Sequence, residues 1–114
     1  MKLSQIQLEQ INDLVATILS ADVMVDPKGN EYYPTENETL GDDPNEDFDE
    51  DTVLMYLSRS PSGLGQEDET VLLKDLMNAM TDGNQITFSG NEWSWALFTR
   101  GAMTPLNFQK LVPA

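Results

Sequence analysis

Apolar residues recur at every third or fourth position near the start of the chain, which is the spacing of one face of an α-helix. The residues of this stripe are Leu8, Ile11, Leu14, Val15, Ile18 and Leu19. Ser4 stands three positions before Gln7, which fits a capping box at the start of a helix. The pattern predicts a helix from about Gln5 to Ser20.

The next segment changes to a strand pattern interrupted by turn-forming residues. Val23 and Val25 precede the run DPKG, in which Pro27 has a fixed φ and Gly29 is free to adopt a positive φ. Two tyrosines, at positions 32 and 33, follow on the returning side. Neighbouring strand residues point to opposite faces, so one of the two tyrosines is expected at the surface. The sequence therefore predicts a β-hairpin over residues 22–33.

A buried strand and a second helix are predicted in the middle of the chain. The continuous apolar run VLMYL at residues 53–57 is typical of a strand buried on both faces. Three acidic residues then suit the positive end of a helix dipole, and Gly83 suits the end of that helix. These acidic residues are Glu67, Asp68 and Glu69. The apolar stripe of this helix comprises Leu72, Leu73, Leu76, Met77 and Met80.

The last third of the chain predicts a second hairpin, with Gly90 and Asn91 in its turn, and a short helix beginning at Thr104–Pro105. Trp93 and Trp95 share one strand face, which is either part of the core or an exposed aromatic patch. The order of elements predicts one α+β domain over residues 1–114. We expect a small antiparallel sheet of four or five strands with two main helices packed on it.

Residues 34–51 show no periodicity and contain nine of the twenty acidic residues of the chain. The stretch GDDPNEDFDED at 41–51 alone holds seven carboxylates, and no lysine or arginine occurs from Gly29 to Ser58. This segment is predicted to be a long acidic loop, or a loop that becomes an edge strand at residues 46–51.

The overall charge restricts the classes of partner. Twenty acidic residues against six bases give a formal net charge of −14, and the bases are scattered singly. Direct binding to nucleic acid or to an anionic membrane is therefore not expected, and a cationic partner, either a basic protein groove or a metal ion, is the natural complement. The sequence has no signal-peptide pattern near its start and no apolar run long enough to span a membrane, so we expect a cytoplasmic protein.

The chemistry available to the chain is limited because it contains neither cysteine nor histidine. A catalytic carboxylate pair needs one buried carboxyl, whereas these acids cluster in the most polar stretch, so we expect no enzyme. Asp43, Asn45, Asp47 and Asp49 alternate as the ligands of an EF-hand loop do. Phe48 then stands where that loop needs glycine, and Leu54 where it needs glutamate. We therefore expect no cofactor and no dedicated metal site.

Alternate acids suggest a different use for the acidic run. On an extended chain, Asp47, Asp49 and Asp51 would lie on one side at steps of about 6.6 Å. Alternate phosphates of one DNA strand advance by a similar distance of about 6.8 Å. Such a row of carboxylates suits a groove that binds DNA.

Two segments, DEDTVLMYLS and EWSWALF, resemble the phage-encoded uracil-DNA glycosylase inhibitors, which are small acidic DNA mimics. The resemblance implies that an acidic strand, here residues 46–51, lies in the DNA groove of the target. It also implies an apolar pocket under the sheet that receives a side chain of the target. The Glu-Ser-Ile edge-strand motif of that family is absent, and the second predicted helix separates the two segments. The resemblance therefore indicates a class of protein rather than a particular target.

The sequence predicts a small acidic inhibitor that mimics the charge of DNA and occupies the basic groove of a nucleic-acid-binding protein, as a monomer or a homodimer. The charge would come from Asp42, Asp43, Glu46, Asp47, Asp49, Glu50 and Asp51. The apolar anchors would be Tyr32, Tyr33 and Phe48. An immunity protein or an acidic secretion or assembly chaperone is the alternative, and a weak divalent-cation-binding protein is the third.

Overall fold

In a computed structural model, the described residues form two helices and eight strands. The structure describes residues 1–25, 29–60, 69–82, 86–88, 91–93, 96–99, 102–105 and 110–113, with side chains as far as residue 81 and again from residue 110. The helices are α1 (Gln5–Leu19) and α2 (Leu73–Asp82). The strands are β1 (Val23–Val25), β2 (Glu31–Glu36), β3 (Val53–Ser58), β4 (Glu69–Leu72), β5 (Ile86–Phe88), β6 (Asn91–Trp93), β7 (Ala96–Thr99) and β8 (Ala102–Pro105).

The main sheet is antiparallel throughout its described pairings, with strand order β4-β3-β2-β1-β7-β8. Strands β5 and β6 form a separate two-stranded sheet. The predicted α+β class is confirmed. The ladder β2-β1-β7-β8 has the four strands expected, and β3 and β4 continue the same order to six.

Helix α1 forms where its apolar stripe predicts it. The Ser4 hydroxyl accepts a hydrogen bond from the Gln7 amide at 3.2 Å, and the Ser4 amide donates to Gln7 Oε1 at 3.1 Å. This reciprocal pair is the predicted capping box. The stripe faces inwards, so the helix covers one side of the core. Its buried apolar residues are Leu8, Ile11, Leu14, Val15 and Ile18.

The first hairpin is confirmed as the pairing of β1 with β2, in which Met24 lies opposite Tyr32. Gly29 has a φ of 87°, the left-handed conformation that the DPKG pattern predicts. Residues 26–28, with Pro27 among them, lie outside the described part of the chain. Tyr32 is buried and Tyr33 is half-buried, so the two rings do take opposite faces.

Strand β3 lies inside the sheet, between β2 and β4, as its apolar run predicts. Leu54, Met55 and Leu57 are fully buried. They belong to one continuous core that also receives the stripe of α1 and the inner face of α2. The core therefore joins both helices to the same sheet.

The predicted start of the second helix is wrong. Glu69 belongs to strand β4, and α2 begins only at Leu73. Thr70 and Val71 are β-branched and favour a strand, and β3 offers them a neighbour to pair with. Residues 67 and 68 lie outside the described part of the chain. The acid that serves the start of α2 is Asp75, whose Oδ2 accepts a hydrogen bond from the Leu72 amide at 3.0 Å.

Most of the predicted stripe of α2 is nevertheless buried. Leu73, Leu76 and Met80 lie in the core, and Met77 packs against it. Leu72 belongs to the strand rather than to the helix. Burial also raises the pKa of Asp75, although the hydrogen bond from the Leu72 amide opposes that shift.

The second hairpin is confirmed as the pairing of β5 with β6. Phe88 lies opposite Asn91, so Asn91 belongs to the strand, and the connecting residues 89 and 90 lie outside the described part of the chain. The predicted strand that carries Trp93 and Trp95 is divided, because β6 ends at Trp93 and β7 begins at Ala96. Trp95 and the side chains of this region lie outside the description, so the tryptophan-face prediction is not tested.

The predicted short helix at Thr104–Pro105 is wrong. Both residues belong to β8, which pairs with β7 and places Pro105 opposite Ala96. In the described pairings, β8 lies at the edge of the main sheet. Proline is tolerated in an edge strand because its missing amide need not donate to a neighbouring strand.

Candidate functional site

Residues 37–52, called the acidic loop from here on, connect β2 to β3 without any helix or strand. They include eight acidic residues and no base. The loop alternative of the sequence prediction is therefore the one that forms, whereas the edge strand at 46–51 does not. All seven predicted charge-bearing residues are exposed: Asp42, Asp43, Glu46, Asp47, Asp49, Glu50 and Asp51.

Two aspartates of the loop fold the chain back on itself. Asp43 Oδ1 accepts a hydrogen bond from the Asn45 amide at 2.9 Å, and the Asp43 carbonyl accepts one from Glu46 at 3.2 Å. Asp49 repeats this arrangement, with Oδ1 bonded to the Asp51 amide at 2.9 Å and its carbonyl to Thr52 at 3.0 Å. Aspartate side chains commonly cap turns in this way. The predicted row of carboxylates with phosphate-like spacing is therefore wrong, because it requires an extended chain.

Two apolar side chains hold the acidic loop against the core. Leu40 is 8% exposed and Phe48 is 7% exposed, and both belong to the main core cluster. The Phe48 amide also donates to the Met1 carbonyl at 2.7 Å, while the Met1 amino nitrogen donates to the Phe48 carbonyl at 2.6 Å. The loop is thus attached at two points, with residues 41–47 between them.

This burial corrects two of the three predicted partner anchors. Phe48 and Tyr32 lie in the core, where a partner cannot reach them without unfolding the protein. Tyr33 remains half-buried at the surface. Its hydroxyl donates to Glu31 Oε2 at 3.0 Å, and that hydrogen bond raises the pKa of Tyr33.

The end of the acidic loop is joined to the start of α2. The Thr52 carbonyl accepts a hydrogen bond from the Leu73 amide and the Glu50 carbonyl one from the Lys74 amide, each at 2.9 Å. The first amides of a helix have no partner within the helix, so the loop satisfies two of them. Lys74 Nζ also pairs with Asp51 Oδ1 at 2.8 Å, and this carboxylate raises the pKa of Lys74. Sequence patterns gave no indication of these contacts.

Most of the carboxylates of the acidic loop form no ion pair with a base in the part of the chain that the structure describes. Within the described residues, ion pairs involve only Asp51 and Asp47, the latter with the Met1 amino group at 2.5 Å. Lys2 Nζ approaches the loop too, but it donates to the Asn45 carbonyl, at 2.5 Å. The predicted acids outside these ion pairs are Asp42, Asp43, Glu46, Asp49 and Glu50.

Two shallow grooves flank Leu40. One, of about 220 Å³, is bordered by Glu38, Glu46, Asp47 and Asp49. In the described part of the chain, no group of three or more acids is arranged to hold a metal ion. The alternation that resembles an EF-hand loop does not gather its carboxylates, since Asp49 caps a turn and Asp47 bonds to the Met1 amino group.

The other groove, of about 200 Å³, runs between α1 and the loop. Its walls are mainly apolar, and Glu36 and Glu38 lie at its edge. The apolar residues that line it are Val15, Ala16, Leu19, Leu40 and Leu54. The acidic loop thus borders two grooves, one bordered by four acidic residues and one lined mainly by apolar residues.

Asp47 gives the acidic loop a testable dependence on pH. Its hydrogen bond from the Met1 amino group lowers the pKa of this carboxyl below that of an ordinary aspartate. A carboxyl with a lowered folded-state pKa stabilises the fold above its unfolded pKa and loses that contribution as pH falls through its folded pKa. We therefore expect Asp47→Asn to be less stable than the wild type above about pH 4, and the difference to close as the pH falls further.

Urea unfolding of both proteins between pH 6 and pH 3 measures this difference. A gap that is independent of pH, or one that widens on acidification, would contradict the ion pair. Because the group is exposed, 0.5 M salt should also reduce the gap.

In the described part of the chain, no helix is long and apolar enough to cross a membrane. No protein-family model, curated protein or solved structure matches this chain. The resemblance to the uracil-DNA glycosylase inhibitors consequently rests on two short sequence segments, and the acidic loop is the feature from which function can be argued.

Proposed function

We propose that this protein is a small acidic inhibitor that uses DNA-like negative charge to occupy the basic groove of a nucleic-acid-binding protein. The observation that supports the proposal is the acidic loop, in which eight acids and no base lie within sixteen residues. Five of its seven predicted carboxylates form no ion pair among the described residues. A surface with this much uncompensated charge favours a cationic partner.

The way in which the loop is attached to the fold also supports a role in binding. Leu40 and Phe48 anchor it in the core, and the carbonyls of Glu50 and Thr52 join it to α2. A loop that is already ordered loses less conformational entropy on binding than a free one. The carboxylates would therefore be presented to a partner at low entropic cost.

Because the chain turns at Asp43 and Asp49, the loop does not present carboxylates at the spacing of DNA phosphates. Mimicry of DNA would depend instead on the density of exposed negative charge. Lysine and arginine side chains in a basic groove are flexible enough to meet a compact acidic loop. Displacement of the counterions around that groove would make binding sensitive to salt, as it is for DNA itself.

The apolar groove beside α1 favours a second candidate function. An immunity protein or an acidic chaperone would recognise an amphipathic segment of its partner, with an apolar side chain in the groove and a base near Glu36 and Glu38. Binding of that kind would not be displaced by DNA. Competition with nucleic acid therefore separates the two functions.

Three loop carboxylates suit a test because their side chains make no hydrogen bond or ion pair within the described residues. The loop-neutral variant replaces them by Asp42→Asn, Glu46→Gln and Glu50→Gln. The control variant removes the same number of charges outside the loop, by Asp13→Asn, Glu9→Gln and Glu31→Gln. Glu9 and Glu31 accept hydrogen bonds from Gln5 and Tyr33, and glutamine keeps a side-chain oxygen that can accept them. Both variants have the same net charge, so they separate the position of the charge from its amount.

The experiment captures partners from a bacterial lysate on immobilised wild type, loop-neutral and control protein, with and without competing duplex DNA. We expect a nucleic-acid-binding protein to be captured by the wild type and by the control variant but only weakly by the loop-neutral variant. Competing duplex DNA should displace this protein. A partner held equally by all three proteins and unaffected by DNA would contradict the proposal and favour the apolar groove.

A further inference from the structure

A short segment near the end of the chain lies across α1 and is held by side-chain amides. This segment, residues 110–113, is called the strap. Gln10 Nε2 donates to the Lys110 carbonyl at 3.0 Å, and Gln10 Oε1 accepts from the Val112 amide at 2.9 Å. Gln7 Nε2 donates to the Val112 carbonyl at 2.9 Å. The two glutamines bond to the strap's main chain as a neighbouring strand would.

The strap is attached at a second place, to the other helix. The Leu111 amide donates to the Met80 carbonyl near the end of α2, at 3.1 Å, and the Leu111 side chain packs against the core. The strap therefore spans the two helices, and its position depends on both.

The side-chain nitrogen and oxygen of Gln7 form hydrogen bonds with different parts of the chain. Nε2 holds the strap, while Oε1 accepts the Ser4 amide and completes the capping box of α1. The side chain is buried, with Gln7 only 7% exposed, so a lost partner would not be replaced readily by water. The orientation of this amide therefore links the strap to the first turn of α1.

The residues before that first turn hold the acidic loop. Leu3 is buried in the core, Lys2 Nζ donates to the Asn45 carbonyl at 2.5 Å, and the Met1 carbonyl accepts from Phe48 at 2.7 Å. Residues 1–4 thus contact the acidic loop directly and are connected to the strap through the Gln7 side chain. A shift of the first turn would alter both loop contacts.

We propose that Gln7 is a positioning residue that couples the strap to the acidic loop. With the strap in place, the Gln7 amide fixes the start of α1, and residues 1–4 then hold the loop at Asn45 and Phe48. Loss of the strap contact frees the amide and loosens the loop. The inference concerns the conformation of the loop without any partner, so it stands or falls independently of the inhibitor function.

Gln7→Glu removes this contact, and it also places a carboxylate at a buried position. The glutamate keeps an acceptor for the Ser4 amide, which preserves the capping box, but it has no amide to donate to the Val112 carbonyl. Gln5→Glu is the control for an added negative charge in the first turn: Gln5 is exposed, and among the described residues its side chain hydrogen-bonds only to Glu9, at 3.4 Å, so this variant also places two carboxylates one turn apart. The general destabilisation that a buried charge adds at position 7 is read from the Met55 amide. Amide hydrogen exchange followed by NMR reports on each hydrogen bond separately.

We expect the Phe48 amide to exchange about fivefold faster in Gln7→Glu than in Gln5→Glu, the factor that corresponds to one net hydrogen bond. The Met55 amide, in the buried strand β3, should exchange at the same rate in both variants because it reports unfolding of the whole sheet. An unchanged Phe48 amide would overturn the coupling. An equal acceleration at Phe48 and Met55 would overturn it too, since it would show general destabilisation.

A second variant tests the coupling from the loop side, because coupling between two sites is reciprocal. Lys2→Gln removes the ammonium that bonds to the Asn45 carbonyl, far from the strap along the chain. The Val112 amide, which donates to Gln10, should then exchange faster while Met55 does not. A Val112 rate equal to that of the wild type would contradict the proposal.

Discussion

Replacing Phe48 with alanine is expected to lower the free energy of unfolding by about 3 kcal/mol. Phe48 is the larger of the two apolar anchors of the acidic loop and is 7% exposed. Its truncation removes buried apolar surface and leaves a cavity beside the core, and both effects destabilise the fold. The value lies at the lower end for phenylalanine because the site borders a loop that can relax into the space.

Urea denaturation followed by circular dichroism measures this loss. Phe48→Leu is the matched variant and should cost about 1 kcal/mol, since it keeps an apolar side chain of comparable size. The prediction distinguishes a core residue from a partner anchor. Unchanged stability together with lost partner binding would show that Phe48 acts at the surface after all.

The loop-neutral variant is expected to associate with the captured partner about tenfold more slowly than the wild type at low salt. Exposed charges act mainly on the rate of encounter, because they steer partners before contact is made. The dissociation rate should change much less, since Asp42, Glu46 and Glu50 are exposed and lie outside the described ion pairs. The control variant should associate nearly as fast as the wild type.

Surface plasmon resonance over a series of salt concentrations measures both rates. At 1 M salt the screening length falls to about 3 Å, so the three proteins should then associate at similar rates. A slower association that persists at high salt, or a dissociation rate that changes as much as the association rate, would contradict steering by the acidic loop. Equal slowing of the control variant would show that net charge alone matters.

The sequence predicted those elements whose local pattern and tertiary contacts agree. Helix α1 has an apolar stripe and a capping box, and both are formed. The hairpin of β1 and β2 has a glycine with positive φ where its turn motif requires one. In these elements, information within a few residues is sufficient to determine the conformation.

The failures occurred where a distant neighbour decided the conformation. The acids from Glu67 to Glu69 suggested a helix start, yet Glu69 joins β4 because β3 lies beside it. Pro105 suggested a new helix, but its place at the edge of the main sheet makes a strand equally acceptable. Neither neighbour can be recognised from the local sequence.

The sequence indicated an acidic loop and its charge but not the conformation of that loop. The density of acids located the loop, whereas the turns at Asp43 and Asp49 depend on hydrogen bonds that an alternating pattern does not reveal. The sequence did contain one indication of how the loop is attached, because Leu40 and Phe48 are the large apolar residues of an otherwise polar segment. Isolated apolar residues in a polar loop are good candidates for side chains that attach the loop to the core. Gln7 was recognised as a cap, but its contact with Val112 joins residues too distant in sequence for any local motif.

The burial of Leu40 and Phe48 at either end of residues 41–47 has a consequence for sequence variation. Residues 41–47 lie between Leu40 and Phe48 and are all exposed, so the core places little constraint on their identity. Asp43 and Asp47 are constrained by their side-chain contacts, whereas Asp42 and Glu46 make no side-chain hydrogen bond or ion pair among the described residues. Substitutions at positions 42 and 46 are therefore expected to accumulate with little effect on folding while they change the charge of the surface. A library randomised at these two positions would vary that surface on a constant scaffold.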